Sequence, residues 1–293
     1  MIKAITLRSF PADMDWRECF RESRASGFDG VEVNFDGMFD LDCPLKTLQA
    51  IRQTARRYKI KIASVYSRRQ WQAPISSRDQ RKSGNGRKVL QRLIDIAEIL
   101  EAPTVLVIPG AVDNSILSKD VEIIPYDEVY ERVLDVLSGL SEIACKKGVF
   151  LALENVPNKF LLSPLEMRDF IDRIGSRAVG CHFDVANCLY SGGYPEQWIR
   201  ILSQRIKAVH LKDYRLASGT LAGFVDIFAG DINWPEVCRA LAEIDYQGAL
   251  ISEVLPAYKY HPEMLWKSAS LAMDLVIADI RKINANKKRK GKS

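Results

Sequence analysis

Histidine is scarce in this chain. Three residues among 293, His182, His210 and His261, are too few for a metal cluster built mainly from imidazoles. The six cysteines (Cys19, Cys43, Cys145, Cys181, Cys188, Cys238) include no CxxC pair. Several fall within expected helices or strands, where cysteine behaves as a small hydrophobe, so a reduced, cytoplasmic protein is expected. No run of about 18 apolar residues occurs, and the opening "MIKAITLRSF" lacks the apolar core and cleavage site of a signal peptide. The chain is expected neither to span a membrane nor to cross one on its own signal. No GxGxxG follows the first strand, which counts against a dinucleotide-binding doubly wound sheet.

Charge is present but unevenly placed. The net charge is +5, and the last seven residues, "KKRKGKS", hold five Lys or Arg and no acid. Such a run is read as a solvated tail over 285–293 rather than a nucleic-acid arm, leaving 1–284 nearly neutral. With 47% apolar and 27% charged residues, that body has the composition of a globular protein with a large core.

Short β-rich runs alternate with longer amphipathic stretches, the pattern of βα units and a parallel sheet. Eight such runs are expected: 4–9, 30–35, 61–66, 104–109, 150–155, 179–184, 207–212 and 249–254. Helix punctuation supports the register. "DWRECFRESRASG" offers Asp15 as N-cap and Gly27 as stop, and "SPLEMRDFIDRIG" repeats the device with Ser163, Glu166 and Gly175. Eight parallel strands with crossover helices close as a single-domain (β/α)8 barrel.

In that fold the chemistry lies at the C-terminal ends of the strands. There the sequence places Glu32, Asn34, Arg68, Arg69, Glu154, His182, Asp184, His210, Lys212 and Glu253. A period of two puts His182 with Asp184, and His210 with Lys212, on one face of their strands. Glu154, Asp184, His210 and Glu253 come from strands five to eight, separated by 30, 26 and 43 residues. Singly, each has a plainer explanation as a solvated strand end, a helix cap or a core histidine. Together, three carboxylates and one imidazole facing one lumen make an oxygen-rich ligand set. It suits Mn²⁺, Mg²⁺ or Co²⁺ better than a structural zinc.

The stretches "LENV…NKFLLSPLEM", "HFDVAN", "AVHLKDY" and "ALISEV" resemble the sugar-phosphate isomerase/epimerase family of xylose-isomerase-like TIM barrels. Within it the chain is most similar to L-ribulose- or L-xylulose-5-phosphate 3-epimerases, with ketose 3-epimerases as cousins. The resemblance implies a Mn²⁺-like ion on Glu154, Asp184, His210 and Glu253. Glu154 and Glu253 would be the acid/base pair for proton transfer through an enediolate of a ketose or ketose phosphate. It also implies a small-molecule sugar substrate, with no nucleic acid or membrane partner, and allows a homo-oligomer.

Free-sugar 3-epimerases carry a histidine three residues after the metal aspartate. This chain has Asn187 there, as the phosphopentose type does. They also carry an arginine six residues after the metal histidine, where this chain has Leu216, with Arg215 one step earlier. Candidate substrate contacts are therefore His182, Asn187, Lys212, Arg215 and Glu32, with Arg68 and Arg69 as further phosphate contacts. Two other activities share the fold. A dehydratase or lyase on a keto-sugar or keto-cyclitol would use the same ligands, whereas a DNA-repair endonuclease would need far more histidine.

Overall fold

The computed structural model describes residues 1–116, 120–255 and 258–290. Seven strands follow in chain order: β1 (Ile2–Thr6), β2 (Gly30–Asn34), β3 (Lys61–Tyr66), β4 (Thr104–Val107), β5 (Phe150–Glu154), β6 (Val179–Asp184) and β7 (Ile206–Leu211). A separate antiparallel hairpin, β8 (Asp213–Tyr214) with β9 (Phe224–Val225), precedes β10 (Ala249–Ser252). β10 lies between β7 and β1, pairing Ile251 with His210 on one side and with Ala4 on the other, and so closes an eight-stranded parallel barrel. The expected (β/α)8 architecture is the one observed.

The alternation within each strand sorts its side chains. Val31, Val33, Leu151, Leu153, Val209, Leu211 and Leu250 point outward, fully buried in the main core they share with the surrounding helices. Inside the barrel, Ala4, Ala63, Ala208, Ala249 and Ile251 form a small apolar floor. Thr6 and His210 follow Ala4 and Ala208 two positions along the same faces. The register slips between Val31 and Glu32 on β2 and between Cys181 and His182 on β6. Such irregularities re-aim the side chains that follow, here into the polar layer.

Both expected helix signatures hold. Asp15 accepts from the backbone N–H of Arg17 to start Trp16–Ala25, and Ser163 accepts from Glu166 to start Pro164–Ile174, which Gly175 ends at φ +69°. Two boundaries differ from expectation. β1 ends at Thr6, and Leu7–Ser9 form a 3₁₀ turn, so Arg8 leaves the sheet at the barrel mouth instead of ending a strand at residue 9. The last helix, Glu263–Lys290, runs past the expected tail boundary at 285, and Lys287 Nζ donates to Ala242 O at 3.1 Å. Residues 291–293 of the expected tail lie outside the described residues. Among the described residues, no helix is long and apolar enough to cross a membrane.

Candidate metal centre and active site

The four expected ligands converge. Glu154 ends β5, Asp184 ends β6, His210 lies on β7 and Glu253 follows β10; one donor atom from each falls within 4.8 Å of all the others. His210 Nδ1 is 3.3 Å from Glu154 Oε1, 3.5 Å from Glu253 Oε2 and 3.7 Å from Asp184 Oδ2. Asp184 is placed for both roles the sequence allowed it. Its Oδ1 caps the helix Val185–Tyr190 by accepting from Ala186 and Asn187 at 2.9 and 2.8 Å, while Oδ2 turns to the cluster.

Glu32 supports the cluster from the opposite side of the imidazole. Its Oε2 lies 3.3 Å from His210 Nε2, and both side chains are almost wholly buried. With the Nε2 proton donated to Glu32, the Nδ1 lone pair faces three carboxylates at short range. That arrangement calls for positive charge at Nδ1. Burial works against an imidazolium, yet Glu32 and Glu253, then Asp184 and Glu154, outweigh it and raise the His210 pKa well above its ordinary value. A divalent ion meets the same demand and adds hard, oxygen-rich coordination, so these residues fit a metal.

Charge in the rest of the site is also balanced locally. Lys212 Nζ donates to Glu253 Oε2 at 2.5 Å and to Asp184 Oδ2. Arg8 Nη1 lies 3.3 Å from Glu253 Oε1. Burial raises the Glu154 carboxyl to about 7, although His210 pulls the other way. Burial pushes Glu253 upward too, but Lys212, His210 and Arg8 prevail and hold it well below the usual carboxylate range. The two glutamates, alike in sequence, therefore differ in proton affinity.

A cavity of about 590 Å³ opens onto the cluster, lined by Glu154, Glu253, Asn187, Lys212, Arg215 and Arg68 among others. Asn187, Lys212 and Arg215 thus sit where substrate contacts were expected. Glu32 and His182 do not line the cavity: they lie one layer deeper, against His210. His182 is fully buried with its ring centroid 4.1 Å from that of His210, and neither of its nitrogens has a hydrogen-bond partner. Burial first, and His210 second, lower its pKa well below the ordinary value. Arg69 turns away to Asp40 and Asp42, while Arg68 remains at the cavity.

Two residues had escaped the sequence reading. Arg8 was hidden by counting it into the first strand. Asn155 clamps Asp184 by donating to its carbonyl and accepting from its N–H, both at 2.8 Å; an asparagine beside a strand-end glutamate carries no signal for this.

Comparison with known proteins agrees with this geometry. A protein of Escherichia coli (strain K12), named as an L-ribulose-5-phosphate 3-epimerase, is 22% identical over 255 residues, 84% of this chain and 86% of that one. An inosose dehydratase of Bacillus thuringiensis (strain Al Hakam) is 27% identical over 141 residues, 43% of this chain and 47% of the other. The solved structure of D-psicose 3-epimerase in the presence of D-fructose superposes with a TM-score of 0.79 at 16% identity, covering 96% of this chain and 99% of that one. L-ribulose 3-epimerase gives 0.79 at 19%, covering 96% of each chain. The family described as xylose isomerase-like TIM barrel matches residues 20–274. The barrel, its four convergent ligand candidates and this match over most of the chain lead to one assignment: the protein belongs to the xylose isomerase-like TIM barrel family.

Proposed function

We propose that the protein is a metal-dependent epimerase or isomerase of a ketose or ketose phosphate, with Glu154 and Glu253 as proton carriers. The observation that carries this reading is a division within the cluster. Glu154 and Glu253 line the cavity, whereas Asp184 and His210 are fully buried behind them. A divalent ion held by Glu154, Asp184, His210 and Glu253 would supply Lewis acidity toward a sugar carbonyl and its neighbouring hydroxyl. Manganese is the proposed metal.

The chain's own groups account for the rest. One glutamate removes the proton from the carbon next to the carbonyl, and the other returns one from the opposite face, which inverts that carbon. Lys212 and Arg8, both within reach of Glu253, orient that carboxylate and present N–H donors to a developing oxyanion. Asn187, 3.4 Å from Glu154, offers its amide to a hydroxyl. Glu32 keeps His210 in the tautomer that ligates.

A dehydratase reading is supported by the partial similarity to inosose dehydratases; it would need the same proton removal followed by loss of a β-hydroxyl. Manganese-loaded protein incubated with ketoses, ketose phosphates and keto-cyclitols in deuterated water tests both. Deuterium uptake at a single carbon by NMR, abolished by chelation and restored by Mn²⁺ or Co²⁺, is expected. Turnover in metal-stripped protein would refute the proposal, and a new ultraviolet-absorbing enone would favour the dehydratase.

A further inference from the structure

We infer that the substrate carries an apolar group, aryl or alkyl, at the end of the sugar farthest from the metal cluster. This rests on the proton-transfer reading above and adds what the sugar bears. The cavity, at about 590 Å³, falls within the range that encloses drug-sized ligands, which is generous for a bare ketose. Five of its polar groups crowd one end: Arg8 and Lys212 against Glu253, and Asn187 against Glu154.

Beyond the strand ends the lining changes character. Val156 follows Glu154, Leu255 follows Glu253, Trp71 follows Tyr66, and Leu221 and Phe224 lie on the loop that follows Lys212. Because βα loops project past the strands, these side chains form the outer part of the cavity. A polyhydroxylated chain lying there would need a partner for each hydroxyl it buries, since a buried hydroxyl left unpaired is unfavourable. Some polar groups in this region already have partners: Asp226 accepts from Tyr258 Oη at 2.9 Å, and Arg215 Nε donates to Ala229 O at 2.9 Å, while Arg68 also lines the cavity.

Two apolar side chains stand solvent-facing at the rim, Leu221 42% and Leu255 48% exposed. An aryl or alkyl group would bury both against Trp71 and Phe224 and leave no hydroxyl unpaired. A phosphate would instead set a doubly charged group among these apolar walls, with Arg68 and the engaged Arg215 as its partners.

The test compares D-fructose, D-fructose 6-phosphate and 6-O-benzyl-D-fructose on manganese-loaded full-length protein. Calorimetry reads binding, and NMR in deuterated water reads exchange. The benzyl ether should bind about tenfold or more tightly than either other sugar, the effect of burying one ring. Leu221→Asp and Leu255→Asp, at exposed positions that should tolerate a charge in folding, should each bring that ratio toward one. A benzyl ratio near one, a preference for the phosphate, or a preference untouched by both variants overturns the inference. If the benzyl preference appears but none of the sugars exchanges deuterium, the apolar subsite stands and the proton-transfer reading on which its role as a sugar site rests falls.

Discussion

Glu32 never reaches the cavity, but its contact with His210 Nε2 is placed to set the direction in which the imidazole presents its lone pair. Glu32→Gln removes a charge without removing a ligand, so metal affinity should fall about 10–100-fold, measured by competition with a fluorescent chelator. An unchanged affinity would show that the imidazole holds its orientation without help. Asp184→Ala and His210→Ala should instead lose the metal outright, since each deletes a donor. Glu154→Gln and Glu253→Gln keep an oxygen but lose a proton carrier, at a cost of about 10²–10⁴-fold in turnover. The two variants should exchange deuterium into opposite substrate epimers; the same preference in both would point to a single shuttling base. The ligand candidates were legible because each stands near a strand end on the lumen face. Depth was not: a period of two gives the face a residue points to but not its height in the barrel. That is why Glu32 and His182 read as substrate contacts although neither lines the cavity.

Among the elements, the segment after β7 is fixed by one buried carboxylate. Asp213 accepts from the backbone N–H groups of Tyr214 and Ile232 and from Trp234 Nε1, at 2.8, 3.1 and 2.8 Å, drawing both ends of the excursion together. Gly230 is required beside it, because a Cβ there would stand 2.3 Å from Asp213 Oδ1. Asp213→Ala strands three buried donors and should destabilise the fold by about 3 kcal/mol or more, read from urea unfolding. A loss below about 1 kcal/mol would mean that the loop is held by its aromatic contacts instead. The hairpin of β8 and β9 in this segment was invisible in the sequence, since strands of two residues carry no periodicity. A second brace joins the loops after β4 and β5, where Lys159 Nζ meets Asp113 Oδ2 at 2.7 Å. Hydrogen bonds from Lys159 and Ser115 lower the Asp113 carboxyl to about 2. Its folded pKa lies below the unfolded one, so the contribution is present above about pH 4 and is lost as pH falls toward 2. The urea midpoints of wild type and Asp113→Asn should therefore converge between pH 5 and pH 2.5; a constant gap would assign the difference to something other than this charge.

For the whole molecule, all eight barrel strands fell within or beside the runs expected of them, because parallel strands buried on both faces are marked by apolar, β-branched sequence that solvent-facing segments lack. The last helix was read short because its final turns are basic, and charge at that density imitates a tail. Ending the chain after Asn286 removes one hydrogen bond from Lys287 to Ala242 O; turnover should be unchanged and stability lower by less than about 1 kcal/mol. A large loss of turnover in a folded, truncated protein would contradict this.

If the cluster takes up the proposed ion, the pairing of β1 with β10 has a consequence for when it can do so during folding. Every candidate ligand lies between residues 154 and 253, but the groups that brace them, Arg8 and Glu32, are 245 and 178 residues away along the chain from Glu253 and His210. Contacts of such separation come at a large loop-closure entropy and tend to form late. During refolding, tight manganese capture should therefore lag behind the recovery of helical circular dichroism. The ion would then act as a clock that starts only when the two ends of the chain have met.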